Sequence, residues 1–126
     1  MHAESPQAAI ELFAAAMSAG DLDGALSLYE PGATFAPQPG ASVTGLPEIG
    51  EALRGFLALR PTLCGRVRNA LEADGVALVV NEWTLAGTRP DGAEIAMSGV
   101  SADVLRRQAD GRWLILVDDP WGAQAS

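Results

Sequence analysis

Residues 63–119, LCGRVRNALEADGVALVVNEWTLAGTRPDGAEIAMSGVSADVLRRQADGRWLILVDD, alternate apolar or β-branched residues with polar ones, and three turn signals interrupt the alternation. Those signals are Asp74-Gly75, Pro90-Asp91-Gly92 and Asp110-Gly111, each a short loop of the kind that joins antiparallel strands. They predict four long strands, near 63–73, 76–88, 93–108 and 112–119.

Hairpin turns fix register, and register fixes which side chains share a face. A two-residue Asp110-Gly111 loop pairs Ala109 with Arg112 and sets Asp103 opposite Asp118. A three-residue Pro90-Asp91-Gly92 loop pairs Arg89 with Ala93, which sets Trp83 opposite Gly99 and Asn81 opposite Ser101. One face then collects Asn81, Trp83, Leu85, Ser101, Asp103, Leu105, Leu116 and Asp118; the other collects Glu82, Thr84, Val104 and Arg106. The first set is apolar with a few polar groups, the composition of a small-molecule site. A one-residue shift of the last hairpin would send Asp118 to the other face.

Upstream, the spacing is helical. Ser5-Pro6 supplies an N-cap and a proline at the first helical position, and Ile10, Phe13, Ala14 and Met17 follow on one face until Gly20. Asp21 caps a second helix through Leu22, Ala25, Leu26 and Tyr29, ended by Pro31-Gly32. The Pro/Gly-rich residues 32–46 hold a short strand around Thr34-Phe35, and a third helix starts at Pro47 with Ile49, Leu53, Phe56 and Leu57 on one face. The predicted fold class is α+β: three N-terminal helices packed on one face of a strongly curved antiparallel sheet.

With 126 residues the chain is expected to form a single domain, with 1–4 and 123–126 as flexible tails. An apolar share of 48% excludes a disordered chain. Sixteen acidic residues against eight basic ones give a net charge of −8, which repels phosphate backbones, so nucleic acid is not an expected partner. No apolar run reaches the ~20 residues of a membrane span, and no signal sequence is recognisable. One cysteine, Cys64, forms no intrachain disulfide, which makes the cytoplasm the expected compartment. Lacking a histidine partner, Cys64 reads as a small buried hydrophobe, and Arg66 and Arg68 alternate onto an outward face. The sole histidine, His2, lies in the N-terminal tail, so neither a histidine-ligated metal nor a Ser-His-Asp triad is expected, and without a Gly-rich phosphate loop no cofactor is expected either.

The segments AGDLDGALSLYEPGATF (19–35), GLPEIGEALRGF (45–56) and DVLRRQADGRWLILVDDPWG (103–122), in this order of elements, resemble the SnoaL-like proteins of the ketosteroid isomerase and nuclear transport factor 2 superfamily. The resemblance covers nearly the whole chain and implies a cone-shaped fold, with homodimerisation through the outer sheet face. It says little about activity, because the fold hosts isomerases, cyclases, dehydratases, epoxide hydrolases and non-catalytic modules. Ketosteroid isomerases use an aspartate base with an oxyanion hole of tyrosine and protonated aspartate. Carried over, Phe13 falls at the tyrosine and Pro37 at the base, and only Asp103 matches, at the protonated aspartate. Steroid isomerisation by that mechanism is not expected.

Two carboxylates facing each other in an apolar cone cannot both ionise cheaply, so one is expected to hold a proton at neutral pH. Asp103 as proton donor and Asp118 as base suit enolisation, aldol cyclisation or dehydration of an apolar carbonyl metabolite. The plainer alternative pairs one aspartate with Arg106, Arg107 or a backbone amide. Phe13, Met17, Tyr29, Phe35, Phe56, Asn81, Trp83, Ser101, Leu105 and Leu116 are the candidate ligand-binding residues. Each has a structural alternative: Trp83 fills space left by Gly99, Tyr29 is core with a wet tip, and Asn81 and Ser101 are ordinary satisfied polar groups. Asp119-Pro120-Trp121-Gly122 reads as a strand-ending turn with its tryptophan folded over the barrel edge. The competing reading is a non-catalytic binding or assembly module whose cone is plugged by Phe13, Met17, Phe35, Phe56 and Trp83. Epoxide hydrolysis stands third, for want of further polar residues. An open cavity touching Asp103 favours the first reading and a filled core the second.

Overall fold

The computed structural model describes residues 2–123. Its first helix, α1 (Pro6–Ser18), starts where expected: the Ser5 side chain accepts from the Ala8 N–H at 3.0 Å, and Pro6 occupies the first turn. A short α2 (Leu22–Leu26) is capped by Asp21, which accepts from the Gly24 N–H at 2.9 Å. Next come strands β1 (Tyr29–Gln38) and β2 (Ala41–Thr44), helix α3 (Leu46–Leu57), and strands β3 (Thr62–Ala73), β4 (Val76–Thr88), β5 (Glu94–Arg107) and β6 (Trp113–Asp119).

All six strands belong to one sheet ordered β2-β1-β6-β5-β4-β3, with the helices packed against it. The predicted α+β architecture holds. Three local expectations give way. Helix α2 stops at Leu26 rather than running through Tyr29, because the Ser27 hydroxyl donates to the Gly24 carbonyl at 2.7 Å and Leu28-Tyr29 joins the sheet. The Leu28 carbonyl accepts from the Ile115 N–H at 2.7 Å, so β1 runs parallel to β6, the one parallel pairing in an otherwise antiparallel sheet. Ala3, expected in a mobile tail, is buried, and its carbonyl accepts from the Trp113 N–H at 2.9 Å. At the other end the Ala123 N–H donates to the Val100 carbonyl at 3.1 Å, while Met1 and residues 124–126 lie outside the described residues.

The turns carry the register. Asp74 and Gly75 both have positive φ, +54° and +77°, as a two-residue turn between twisted strands requires. The Pro90-Asp91-Gly92 loop pairs Arg89 with Ala93 at 2.8 Å, so Trp83 faces Gly99 and Asn81 faces Ser101, as read from the sequence. The last hairpin differs. Gln108, not Ala109, pairs with Arg112 at 2.7 Å, making a three-residue loop with Gly111 at φ +91°. Leu105 consequently faces Ile115. Leu116 is then an extra residue, a β-bulge, after which Val104 faces Val117 and Asp103 faces Asp118. Two one-residue departures cancel, and the aspartates meet as expected.

The sealed core lies between helices and sheet, with Leu28, Ile49, Leu53, Val79, Leu105 and Ile115 fully enclosed. Cys64 is exposed, contrary to the buried reading, because β3 is an edge strand. Among the described residues no helix is long and apolar enough to cross a membrane.

Candidate functional site

A cavity of about 430 Å³ opens between α1, α3 and the concave sheet face. Its apolar wall includes Phe13 and Met17 from α1, Phe35 from β1, Phe56 from α3 and Trp83 from β4. Asn81, Ser101, Asp103 and Asp118 are the buried polar groups of its lining, and Gln7, Glu11 and Arg66, the last read from the sequence as outward-facing, line it as well. Nine of the twelve candidate residues thus share one space.

The other three do not line it. Leu105 belongs to the sealed core, and Leu116, displaced by the bulge, yields its place on the wall to Ile115. Tyr29 is buried behind the wall, its ring edge-on to Phe13 at 5.7 Å, and reaches the site only through its hydroxyl, which donates to Asp118 Oδ2 at 2.5 Å. Trp121 was missed. It lines the cavity edge-on to Trp83 with ring centroids 5.1 Å apart, and the Trp83 indole N–H donates to the Pro120 carbonyl at 2.7 Å. The strand-ending turn was legible, whereas the long-range contact that makes it part of the wall left no local signal.

Asp103 and Asp118 are 3% and 8% exposed. Burial, the facing Asp118 charge and a hydrogen bond to Asp118 hold the Asp103 carboxyl well above the usual carboxylate range. Burial raises Asp118 too, but hydrogen bonds from Asp103 and Tyr29 offset part of that rise. Burial and mutual proximity thus favour the protonated form of the pair over a wider pH range than for a free aspartate. The Ser101 hydroxyl donates to Asp103 Oδ2 at 2.8 Å, fixing the carboxyl plane. Burial and the Asp118 charge push the Tyr29 phenol well above its ordinary value, so it stays a donor. Arg106, one of the three partners weighed in the plainer reading, instead forms a forked pair with Glu30 at 2.7 and 2.8 Å on the opposite sheet face.

Two consequences can be measured. Tyr29→Phe leaves a buried carboxylate short of a donor; stability is expected to drop by about 1.5–3 kcal/mol in urea denaturation, and Asp118 to titrate higher. An unchanged Asp118 titration would contradict the assignment. In addition, the fold retains protons on Asp103 and Asp118 that the unfolded chain releases above about pH 4, so stability falls as pH rises from there toward the folded-state titration of Asp103. Glu30, lowered by its bond to Arg106, and Asp110, lowered by the Arg112 N–H, act oppositely and lose their contribution as pH falls through their depressed values. The contribution of the aspartate pair is expected to fall as pH rises above about 4, and a stability that Asp103→Asn leaves with the same pH dependence as wild type would contradict it.

A family model described as a SnoaL-like domain matches residues 10–115. The chain belongs to the SnoaL-like family. A search among curated proteins found no match. Among solved structures, this SnoaL-like chain is similar to a ketosteroid isomerase-like protein from Erwinia carotovora (TM-score 0.79, 15% identity, 89% of this chain and 88% of that one). It is also similar to a nuclear transport factor 2-like superfamily protein from Salmonella enterica (TM-score 0.76, 16% identity, 88% and 83%). A third is a candidate calcium/calmodulin-dependent protein kinase II association domain from Xanthomonas campestris (TM-score 0.75, 22% identity, 90% and 81%). Identities this low show the shared cone fold alone.

Proposed function

We propose that this SnoaL-like protein binds an apolar carbonyl compound in its cone and performs cofactor-independent acid–base chemistry on it. The observation that carries the reading is an open apolar cavity ending on two facing, buried aspartates, whose burial raises both carboxyls. A substrate carbonyl reaching Asp103 competes with Asp118 for the Asp103 proton. As the carbonyl oxygen accepts it, Asp118 is freed to remove the proton on the adjacent carbon, which gives an enol. Reprotonation at another carbon is isomerisation, attack on a second carbonyl is aldol cyclisation, and loss of a β-hydroxyl is dehydration.

The experiment is α-proton exchange of 2-tetralone in D2O, followed by NMR. Exchange faster than in buffer alone is expected, and an unchanged rate would leave ligand binding without turnover, the reading in which Tyr29 and Ser101 merely satisfy two buried carboxylates.

Pairing through the outer sheet face has independent support. Leu71, Leu78, Val104 and Val117 are successive cross-strand partners on that face, and Leu71, Leu78 and Val117 are exposed. Such an apolar stripe suits a second copy of the chain. Sedimentation at micromolar concentration is expected to give a dimer, and a monomer would remove this part. The net charge of −8 argues against nucleic acid, and one unpaired cysteine suits the reducing cytoplasm.

A further inference from the structure

Asn81 stands apart from the acid–base groups. Its side chain lines the cavity and is 7% exposed, yet its Oδ1 is enclosed without a hydrogen-bond partner among the described residues. Buried amides are ordinarily satisfied, because an unmet one costs stability. Nor is the amide there by accident of space. A Cβ at position 65 would lie 3.0 Å from both Nδ2 and Oδ1 of Asn81, so Gly65 on the neighbouring strand provides the room it occupies. Asn81 faces Ser101, and Asp103 follows two residues along β5 on the same sheet face, so the amide lies diagonally across the strands from the carboxyl.

We propose that Asn81 is a specificity-determining residue that hydrogen-bonds a second oxygen function of the substrate, so that the substrate class is the hydroxy- or oxo-substituted cyclic ketone. This rests on the acid–base reading above. Asp103 takes the reacting carbonyl, and the Asn81 amide, turning about its last torsion, donates to or accepts from the second oxygen. A ketone with hydrocarbon alone beyond its carbonyl leaves the amide as unmet as it is in the ligand-free protein, whereas one carrying the second oxygen satisfies it, and that difference discriminates between them.

The test compares 2-tetralone with its four ring-hydroxylated isomers, by quenching of the cavity tryptophans and by α-proton exchange. At least one isomer is expected to bind wild-type protein tenfold or more tighter than the parent, with the ratio falling to about one in Asn81→Leu. The ligand-free Asn81→Leu protein is expected to melt higher than wild type, because the change removes an unsatisfied buried group; a merely structural amide would make it melt lower. No preferred isomer, or a preference that survives Asn81→Leu, overturns the inference. If Asp118→Asn exchanges 2-tetralone as fast as wild type, the acid–base reading fails instead, and the hydroxyl preference alone decides the role of Asn81. Failure of every tetralone to bind overturns both.

Discussion

Asp118→Asn is expected to slow α-proton exchange of 2-tetralone by about a hundredfold to ten-thousandfold, the range ascribed to a positioned general base. An amide cannot take the proton. The variant is also expected to fold, because its carbonyl still accepts from the Tyr29 hydroxyl that wild-type Asp118 holds at 2.5 Å. Asp103→Asn keeps an N–H donor toward the substrate carbonyl and so loses less. The measurement is the exchange rate per mole of protein at fixed pH, with near-ultraviolet circular dichroism as the check on folding. Equal rates in the variant and wild type would contradict the role of Asp118.

Gly99→Val is expected to lower stability by about 1–3 kcal/mol, the cost of forcing volume into a packed site. A Cβ at position 99 would lie 2.8 to 2.9 Å from three atoms of the Trp83 indole. The ring has little freedom to retreat, since its N–H is bound to the Pro120 carbonyl and its edge meets Trp121. Valine suits a strand better than glycine does, which offsets part of the loss, so the net sign rests on the clash. Urea denaturation measures it. A stability equal to wild type would mean that Trp83 swings aside freely and is no fixed wall of the cavity.

Much of this site could be read from turn chemistry. Pro90-Asp91-Gly92 fixed the pairings of Trp83 with Gly99 and Asn81 with Ser101, because loop length and a left-handed glycine determine register locally. Asp103 opposite Asp118 was reached by a different route: the last loop is one residue longer than the Asp-Gly signal implies, and the bulge at Leu116 takes the residue back. Alternation within a strand does not reveal a bulge, so Ile115 and Leu116 exchanged roles unseen. Tyr29 illustrates the other limit. Its helical spacing from Leu22, Ala25 and Leu26 was real, but pairing with Ile115 across the chain drew it into β1. That contact made its hydroxyl the partner of Asp118. Cys64 and Trp121 changed character for the same reason, since an edge-strand position and a ring-to-ring contact depend on elements far apart in sequence.

The central claim is that a proton is stored between Asp103 and Asp118 at neutral pH. Carboxyl-carbon NMR titration of both residues tests it without a substrate. The account predicts coupled titrations, with Asp103 far above the ordinary aspartate value of about 3.9 and moving down in Asp118→Asn as the facing charge is removed. Two independent titrations near that ordinary value would contradict it.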